Sequence, residues 1–198
     1  MRVIETSIPG LLEIAPTVHG DARGFFMESF NQRDFEAATG TMPTFVQDNH
    51  SRSRQGVLRG LHYQVHQPQG KLVRVIHGEI LDVAVDIRAD SATFGHWHSV
   101  RLSADNQRQL WVPEGFAHGF VVLSEVAEVL YKTTDYYAPE HERSLRWDDP
   151  QLAIDWQRDS WQWGDVPLLS DKDRQAGDFA ALIETGPGTS TFSEKTDS

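Results

Sequence analysis

The sequence contains no cysteine. This absence excludes disulfide bonds, thiolate nucleophiles and cysteine-based zinc sites, and it agrees with a reducing cytoplasm. Basic residues are also outnumbered, with 18 Lys and Arg against 29 Asp and Glu, for a net charge of -11. Because general binding to nucleic acid requires many cationic contacts to phosphates, this balance argues against a nucleic-acid partner. A few arginines in one pocket can still hold a small anion such as a diphosphate.

Long apolar runs are missing as well. No stretch approaches the roughly 20 apolar residues that cross a bilayer, and residues 1–6 lack the apolar core of a signal peptide. We therefore expect a cytoplasmic protein without a membrane partner. The length of 198 residues suits a single domain with a sizeable core.

Short β-strands separated by Gly, Pro and Asn turns dominate the pattern. Within residues 80–88, branched apolar side chains occupy one face and the other face carries Asp82 and Asp86. The close spacing of such segments favours an antiparallel sandwich or barrel over βαβ units. Further strands are predicted at residues 72–76, 97–102, 109–112, 119–123, 126–133 and 144–147.

Two helices are predicted at the periphery. Asn31 is a suitable N-cap for a helix over residues 33–39, which ends at Gly40. Ser170 is a suitable N-cap for a helix over residues 172–183. We expect residues 1–184 to form one domain. Residues 185–198 are rich in Gly, Ser and Thr, and they are predicted to be a disordered tail.

Two motifs resemble the halves of the cupin pattern. In the second half, residues 113–118 have the pattern Pro-x-Gly-x-x-His and resemble the turn that brings a histidine, here His118, into the barrel mouth of cupins. In the first half, metal-binding cupins carry His-x-His, but this chain has His62 followed by Gln64 in place of the second histidine. Lys71 lies downstream, and a cation is a poor neighbour for a divalent metal. The pattern predicts no catalytic metal, although His62, His66 and His118 remain an alternative ligand set.

A metal-free barrel with His, Lys and Arg in its mouth favours proton abstraction beside a carbonyl. Such chemistry needs a base, a cation or donor for the enolate oxygen, and an acid on the opposite face. His62 is the natural base because histidine titrates near neutrality. Lys71 suits the enolate oxygen, and Tyr131 can return a proton. On the residues alone, structural roles for His62 and Tyr131 remain open.

Seven ordered segments carry a resemblance to a known family: residues 20–28, 45–51, 57–64, 82–88, 109–120, 131–137 and 169–173. They resemble the dTDP-4-dehydrorhamnose 3,5-epimerase family of the cupin superfamily. Together they span roughly residues 1–175. The resemblance implies an all-β, cupin-type double-stranded β-helix (jelly-roll) barrel with a few short peripheral helices. It also implies a homodimer with strands exchanged near the N-terminus.

The resemblance implies a defined reaction on dTDP-4-keto-6-deoxy-D-glucose. The C4 ketone acidifies the hydrogens at C3 and C5, and the enzyme removes and returns a proton at each carbon. The product is dTDP-4-dehydro-L-rhamnose, an intermediate in dTDP-L-rhamnose biosynthesis. No cofactor is implied, because the neighbouring carbonyl is itself the electron sink.

The resemblance also assigns roles to individual residues. His62 corresponds to the proton acceptor, Tyr131 to the proton donor, and Asp173 to the carboxylate that pairs with the histidine. Ser170-x-x-Asp173 also has the pattern of a helix capping box, so a structural role for Asp173 competes with the catalytic one. Lys71 has both a catalytic and a binding role. The positions expected to bind substrate are Arg23, Glu28, Gln47, Asp48, Asn49, Arg59, Lys71, His118, Glu142 and Lys172.

Three alternatives stay open at the level of sequence. Relatives that make other deoxysugars epimerise only C3 or only C5, although the presence of both acid and base favours double epimerisation. A metal-dependent cupin is the second alternative. A catalytically silent barrel that binds sugar nucleotides is the third.

Overall fold

The computed structural model describes residues 1–185 of the chain. Most of the regular structure in this range is β-strand, and the α-helices are short. The helices are α1 (Gln32–Thr39), α2 (Asp171–Arg174) and α3 (Phe179–Thr185), with single 3-10 turns at Pro139–His141 and Arg158–Ser160. The strands are β1 (Arg2–Glu5), β2 (Leu12–Ala15), β3 (Val18–Asp21), β4 (Gly24–Met27), β5 (Gln47–Arg54), β6 (Leu58–Gln64), β7 (Lys71–His77), β8 (Glu79–Asp86), β9 (Trp97–Ser103), β10 (Gln109–Val112), β11 (Phe116–Val122), β12 (Val126–Thr133) and β13 (Glu142–Ser144).

The strands form two large antiparallel sheets and one small hairpin. The first sheet has the order β1-β2-β10-β7-β12-β5, and the second has the order β13-β6-β11-β8-β9. Among the described residues, strands β3 and β4 pair only with each other. The all-β architecture with a few short helices is confirmed. No helix in residues 1–185 is long and apolar enough to span a membrane.

The main core lies between the two large sheets. Val73 and Leu110 of the first sheet pack in one apolar cluster with Ile80 and Phe120 of the second. All four side chains are 5% exposed or less. Each such side chain contributes about 1.5–3 kcal/mol through removal of its apolar surface from water. Polar residues on the inner faces therefore need hydrogen-bond or charge partners inside the barrel, or access to water at its mouth.

The outer face of the second sheet is covered by the C-terminal segment. Leu81 and Val83 of β8 belong to a cluster with Trp156 and Phe179, whereas Ile80 belongs to the core between the sheets. The alternation predicted for residues 80–88 is therefore confirmed. The outer face of the first sheet is covered by α1, whose Phe35 packs on Leu72 and Trp111.

Helix α1 has the predicted N-cap and the predicted end, and it begins at Gln32, one residue before the predicted start. The Asn31 side chain accepts hydrogen bonds from the backbone N–H groups of Arg33 and Asp34. Gly40 ends the helix with φ 71, a left-handed conformation that favours glycine. Because both signals are local, the sequence is sufficient to place them.

The single helix predicted over residues 172–183 is wrong. The chain forms α2, leaves the helical conformation, and then forms α3. Gly177 lies between the two helices, where it donates to the Ser144 carbonyl and accepts from the Arg146 N–H. The Phe179 N–H donates a hydrogen bond to the Asp149 carboxylate. Pairing with the chain beyond β13 thus replaces the helical hydrogen bonds.

The predicted disordered tail, residues 185–198, lies outside the described residues except for Thr185, which ends α3. The tail and the single-domain organisation of residues 1–184 both stay predictions.

Candidate active site

Two histidines lie side by side on adjacent strands at the mouth of the barrel. His62 of β6 is opposite His118 of β11 in the register of the second sheet. The two strands approach each other closely at Gly60 and Gly119. A Cβ atom on Gly60, whose φ is 115, would lie 2.6 Å from the Gly119 Cα atom. Glycine is therefore required where these strands bring the two histidines together.

His62 is held by a buried carboxylate. Its Nε2 atom lies 2.6 Å from Asp173 Oδ1, and the Asp173 side chain is 4% exposed. The second oxygen of Asp173 accepts a 2.8 Å hydrogen bond from the Ser170 hydroxyl. Burial opposes ionisation of Asp173, but the bonds from His62 and Ser170 prevail and lower the pKa of this carboxyl below its usual range. The neighbouring Asp171 is exposed and pairs with Arg174.

The Ser170 hydroxyl also caps helix α2. It accepts a 3.1 Å bond from the Asp173 N–H while it donates to the Asp173 carboxylate. The capping role and the pairing of Asp173 with His62 therefore exist together in one arrangement. The cap fixes the backbone of Asp173, and the donated bond orients its side chain toward His62.

A second carboxylate lies on the other side of the His62 ring. Glu142 Oε1 is 3.9 Å from His62 Nδ1. Glu142 Oε2 pairs with Lys172 Nζ and accepts a 2.7 Å bond from the Tyr137 hydroxyl. Burial opposes ionisation of Glu142, but Lys172, Tyr137 and His62 together lower its pKa. The hydrogen bond to Glu142 raises the pKa of Tyr137 to about 12.

The Lys71 ammonium is enclosed in the barrel. It lies at the start of β7, and its Nζ makes a long contact of 3.5 Å to the His62 carbonyl oxygen. Burial lowers the pKa of Lys71 to about 8, although Glu142 and Asp82 act in the opposite direction. Within residues 1–185 this long contact is the one hydrogen bond of the ammonium, so its other N–H donors are available for a ligand oxygen.

His118 is paired with a second buried carboxylate. Its Nε2 atom lies 2.7 Å from Asp82 Oδ1, and both side chains are almost fully enclosed. Asp82 Oδ2 has no hydrogen-bond partner within residues 1–185. The first oxygen of Asp82 therefore sets the orientation of the His118 ring.

Tyr131 and Asn49 face each other across β12 and β5. Tyr131 packs against the core between the sheets, and burial raises the pKa of its phenol, opposed by the positive charge of Arg59. Asn49 Oδ1 accepts a 3.0 Å bond from Gln47 Nε2. Arg59 Nε donates to Ser53 Oγ at 3.0 Å. These side chains come from β5 and β12 of the first sheet and from β6 of the second.

Asp48 points away from this group. It lies between Gln47 and Asn49 on β5, so its side chain emerges on the opposite face of the sheet. There it pairs with Lys132 at 2.9 Å. The structure thus separates Asp48 from the inward-facing residues at the barrel mouth.

Arg23 and Glu28 also lie apart from the His62 group within one chain. Arg23 is on the β3–β4 hairpin, where its side chain is 89% exposed and pairs with Asp21. Glu28 follows β4 and accepts from the Asn31 side chain at 3.3 Å. The hairpin also exposes Phe25 and Phe26.

The residues of the metal-binding alternative are not assembled. In residues 1–185, no group of three or more His, Cys, Asp or Glu side chains is arranged to hold a metal ion. The His66 ring packs against His141, with a centroid distance of 4.9 Å. Gln64, at the position of a ligand in metal-binding cupins, directs its amide to three backbone groups.

The family model described as dTDP-4-dehydrorhamnose 3,5-epimerase matches residues 5–181. The chain belongs to this family. A dTDP-4-dehydrorhamnose 3,5-epimerase of Pseudomonas aeruginosa is 61% identical over 180 residues, which cover 91% of the chain and 97% of that protein. The resemblance inferred from the seven sequence segments is thereby confirmed.

Solved structures of the family share the fold. The dTDP-6-deoxy-D-glucose-3,5-epimerase of Legionella pneumophila, in complex with dTDP-4-keto-L-rhamnose, has a TM-score of 0.86 and 54% identity, covering 91% of the chain and 94% of its own. ChmJ, a 3'-monoepimerase from Streptomyces bikiniensis in complex with dTDP-quinovose, has a TM-score of 0.83 and 34% identity, covering 94% and 91%. The predicted cupin-type jelly roll is confirmed.

Several contacts of the site were not predicted from the sequence. They are the bond from Ser170 to the Asp173 carboxylate, the bond from Tyr137 to Glu142, and the pairing of Asp82 with His118. Tyr137 lies in one of the segments that carry the resemblance, and this position was the one sequence signal that could have identified it as a site residue. The roles of the site residues themselves stay predictions.

Proposed function

We propose that the chain epimerises dTDP-4-keto-6-deoxy-D-glucose at C3 and C5 to give dTDP-4-dehydro-L-rhamnose, in dTDP-L-rhamnose biosynthesis. The observation that carries this function is the His62–Asp173 pair, 2.6 Å apart, at the mouth of a barrel of this epimerase family. The pair leaves His62 Nδ1 without a hydrogen-bond partner among the described residues. A base is thus oriented with one nitrogen available to a substrate C–H.

His62 takes the proton from the carbon next to the C4 ketone. The imidazolium that forms is stabilised by Asp173 on Nε2 and by the negative charge of Glu142, 3.9 Å from Nδ1. The electrons of the broken C–H bond move into the carbonyl, which becomes an enolate. The chain's residues therefore need to supply proton transfer and charge stabilisation, and we propose no cofactor.

Lys71 stabilises the enolate oxygen. With a pKa of about 8, its ammonium is mainly protonated at neutral pH. In the enclosed barrel the attraction between this cation and the developing oxyanion is weakly screened, so it strengthens as the transition state forms.

Tyr131 returns a proton on the opposite face of the sugar ring. Burial raises the pKa of its phenol, so the hydroxyl stays protonated and can act as an acid. Delivery from the face opposite to His62 inverts the carbon. His62 then releases its proton to solvent and Tyr131 regains one from solvent. The same steps at the second carbon complete the conversion from the D-gluco to the L-manno configuration.

The nucleotide part of the substrate is held by the remaining inward-facing polar groups. Arg59 suits the diphosphate because a guanidinium can donate two parallel hydrogen bonds to phosphate oxygens. Gln47 and Asn49 offer both donors and acceptors for a thymine edge or a phosphate. The other groups proposed to contact the substrate are His118, Glu142 and Lys172.

We infer that the active form is a homodimer that exchanges its N-terminal strands. The β3–β4 hairpin exposes Phe25 and Phe26, whose side chains favour burial against another surface. Exchange of this hairpin gives Arg23 and Glu28 a route to a site that they do not reach within one chain. Light scattering on a sizing column tests this, and a monomeric parent protein contradicts it. We propose a cytoplasmic location without nucleic-acid or membrane partners.

Epimerisation at a single carbon is the second candidate, because a 3'-monoepimerase shares the fold at 34% identity. Proton NMR of dTDP-4-keto-6-deoxy-D-glucose with EDTA-treated protein in deuterated buffer distinguishes the two. We expect deuterium at both C3 and C5 and the rhamno product. Deuterium at one carbon identifies a mono-epimerase. No exchange until a divalent metal is added identifies a metal-dependent enzyme, and no exchange in either case identifies a silent binding barrel.

A further inference from the structure

The Gln64 amide makes three hydrogen bonds to the backbone of two neighbouring loops. Gln64 ends β6 and is 8% exposed. Its Nε2 group donates to the carbonyls of Gln67 at 2.6 Å and Tyr136 at 3.2 Å. Its Oε1 atom accepts from the Ala138 N–H at 2.9 Å. An amide that makes three bonds while buried is costly to replace, because each loop loses a partner with it.

The two loops form a rim over the barrel, which we call the lip (residues 65–70 and 134–138). Gly70 and Thr134 exchange hydrogen bonds between these loops, and Gln69 Nε2 donates to the Asp135 carbonyl at 2.8 Å. The Gln64 amide adds bonds to the residue before Tyr137 and to the residue after it. The backbone of Tyr137 is therefore fixed on both sides, and its own N–H donates to Gln47 Oε1 at 3.1 Å.

Tyr137 connects this fixed backbone to His62, the proposed base, through Glu142. Its hydroxyl donates to Glu142 Oε2 at 2.7 Å, and the other oxygen of Glu142 lies 3.9 Å from His62 Nδ1. Because Nε2 of His62 is bonded to Asp173, Nδ1 is the nitrogen that faces the substrate. Glu142 Oε2 also pairs with Lys172 Nζ, so a shift of Tyr137 removes one of the two partners that hold this carboxylate beside the reacting nitrogen.

We propose that Gln64 is a positioning residue for the epimerase reaction, which holds Tyr137 and through it keeps Glu142 beside His62. The expected effect on kcat rests on the proposed function. The contacts from Gln64 through Tyr137 and Glu142 to His62 do not depend on that function. The position that supplies a metal ligand in metal-binding cupins serves here to fix the lip.

The test combines Gln64→Met, which removes all three bonds, with Tyr137→Phe, which removes only the hydroxyl. Gln64→Glu is the second variant, because it keeps the acceptor for Ala138 and loses both donors. Gln69→Ala is the matched control, since it removes one bond of the lip and does not touch the residues that flank Tyr137. Circular dichroism and thermal unfolding show which variants fold.

We expect Gln64→Met to lower kcat by about tenfold to about a hundredfold, because a misplacement of about 1 Å at a reacting group can cost about a hundredfold. Gln69→Ala should change kcat by less than about twofold. In the Tyr137→Phe background, Gln64→Met should have little additional effect, because the two residues act through one contact chain. Parental kcat in folded Gln64→Met and Gln64→Glu proteins, or independent effects in the double variant, overturns the proposal.

Tyrosinate absorbance provides a readout that does not depend on turnover. In the parent protein the pKa of Tyr137 is raised to about 12. If Gln64→Met frees Tyr137 from Glu142, the signal abolished by Tyr137→Phe should appear at lower pH, toward the ordinary tyrosine pKa of about 10. An unchanged Tyr137 signal contradicts the positioning role. Absence of epimerisation by the parent protein contradicts the proposed function instead, and leaves this spectroscopic test valid.

Discussion

The hydroxyl of Ser170 donates a hydrogen bond to the carboxylate oxygen of Asp173 that does not face His62, at 2.8 Å. The other oxygen of that carboxylate is 2.6 Å from His62. Ser170, Asp173 and His62 therefore form a chain in which a helix cap orients the carboxylate that orients the base. This arrangement makes the start of α2 part of the site and ties helix stability to catalysis.

Replacement of Ser170 separates its contribution to helix stability from its contribution to the orientation of Asp173. Ser170→Ala should cost about 1 kcal/mol of unfolding free energy through loss of the cap. It should also lower kcat by about tenfold, because a hydrogen bond to a charged group is worth about 1.5 kcal/mol or more. Ser170→Gly also lacks the hydroxyl, but glycine at an N-cap costs only about a few tenths of a kcal/mol, so this variant should retain more stability than Ser170→Ala and still lose kcat. Parental kcat in Ser170→Gly would show that the hydroxyl serves only as a cap.

Tyr131→Phe should impair protonation more than deprotonation. His62 remains able to remove the substrate proton, but the acid on the opposite face is lost. We expect product formation to fall by about a hundredfold to about ten-thousandfold. Solvent deuterium should still enter the starting material with retention of configuration. Mass spectrometry and NMR of recovered substrate measure this, and equal loss of exchange and of inversion contradicts the assignment of Tyr131 as the acid.

The charge of Lys71 should set a basic limit to activity. The ammonium is present below its pKa of about 8 and is lost as the pH rises through that value. If this cation stabilises the enolate, kcat should decline across that range. Lys71→Met should lower kcat by about a hundredfold to about a thousandfold at neutral pH. Lys71→Arg, whose charge persists at high pH, should move the decline upward, and an unchanged profile in this variant excludes Lys71 as its source.

Stability at acidic pH should depend on Asp86, away from the site. Its buried carboxylate accepts hydrogen bonds from Arg88, Ser91 and Thr93. Burial opposes ionisation, but these donors hold the pKa of Asp86 well below its usual range. The folded state therefore binds fewer protons than the unfolded state, so this stability is present above the ordinary Asp pKa of about 3.9 and is lost as the pH falls below it.

Asp86→Asn tests this linkage. The variant should lose about 1.5–3 kcal/mol at neutral pH, because hydrogen bonds to a charged group are removed. Its unfolding free energy should then depend less on pH below about 4 than that of the parent. Urea unfolding over a series of acidic pH values provides the measurement. Parallel pH profiles for the two proteins would place the acid sensitivity in other carboxylates, such as Asp173 and Glu142.

Local signals and long-range contacts were predictable to different degrees. Helix α1 follows from Asn31 and Gly40, which act within a few residues of the helix ends. The break between α2 and α3 was missed because Gly177 bonds to Ser144, which is distant in the chain. Strand β5 was also missed, since QDNHSRSR has no apolar alternation. Its inner face is polar because it lines the site.

The resemblance supplied the candidate residues, but the structure was needed to place them. Strand alternation separates Asn49, which faces Tyr131, from Asp48, which pairs with Lys132 on the outer face. That difference could have been read from the sequence once β5 was recognised. The role of Gln64 could not, because its three partners are backbone groups of loops whose positions depend on the complete barrel.

The most direct test of the account is deuterium entry into dTDP-4-keto-6-deoxy-D-glucose catalysed by His62→Ala, compared with the parent protein. One base held by Asp173 is proposed to remove the protons at both carbons, so the variant should lose exchange at C3 and C5 together, by about a hundredfold or more. His118→Ala is the matched control, because His118 has its own carboxylate, Asp82, and a proposed role in binding. It should retain exchange at saturating substrate. Near-parental exchange at either carbon in folded His62→Ala protein would contradict the assignment of His62 as the base.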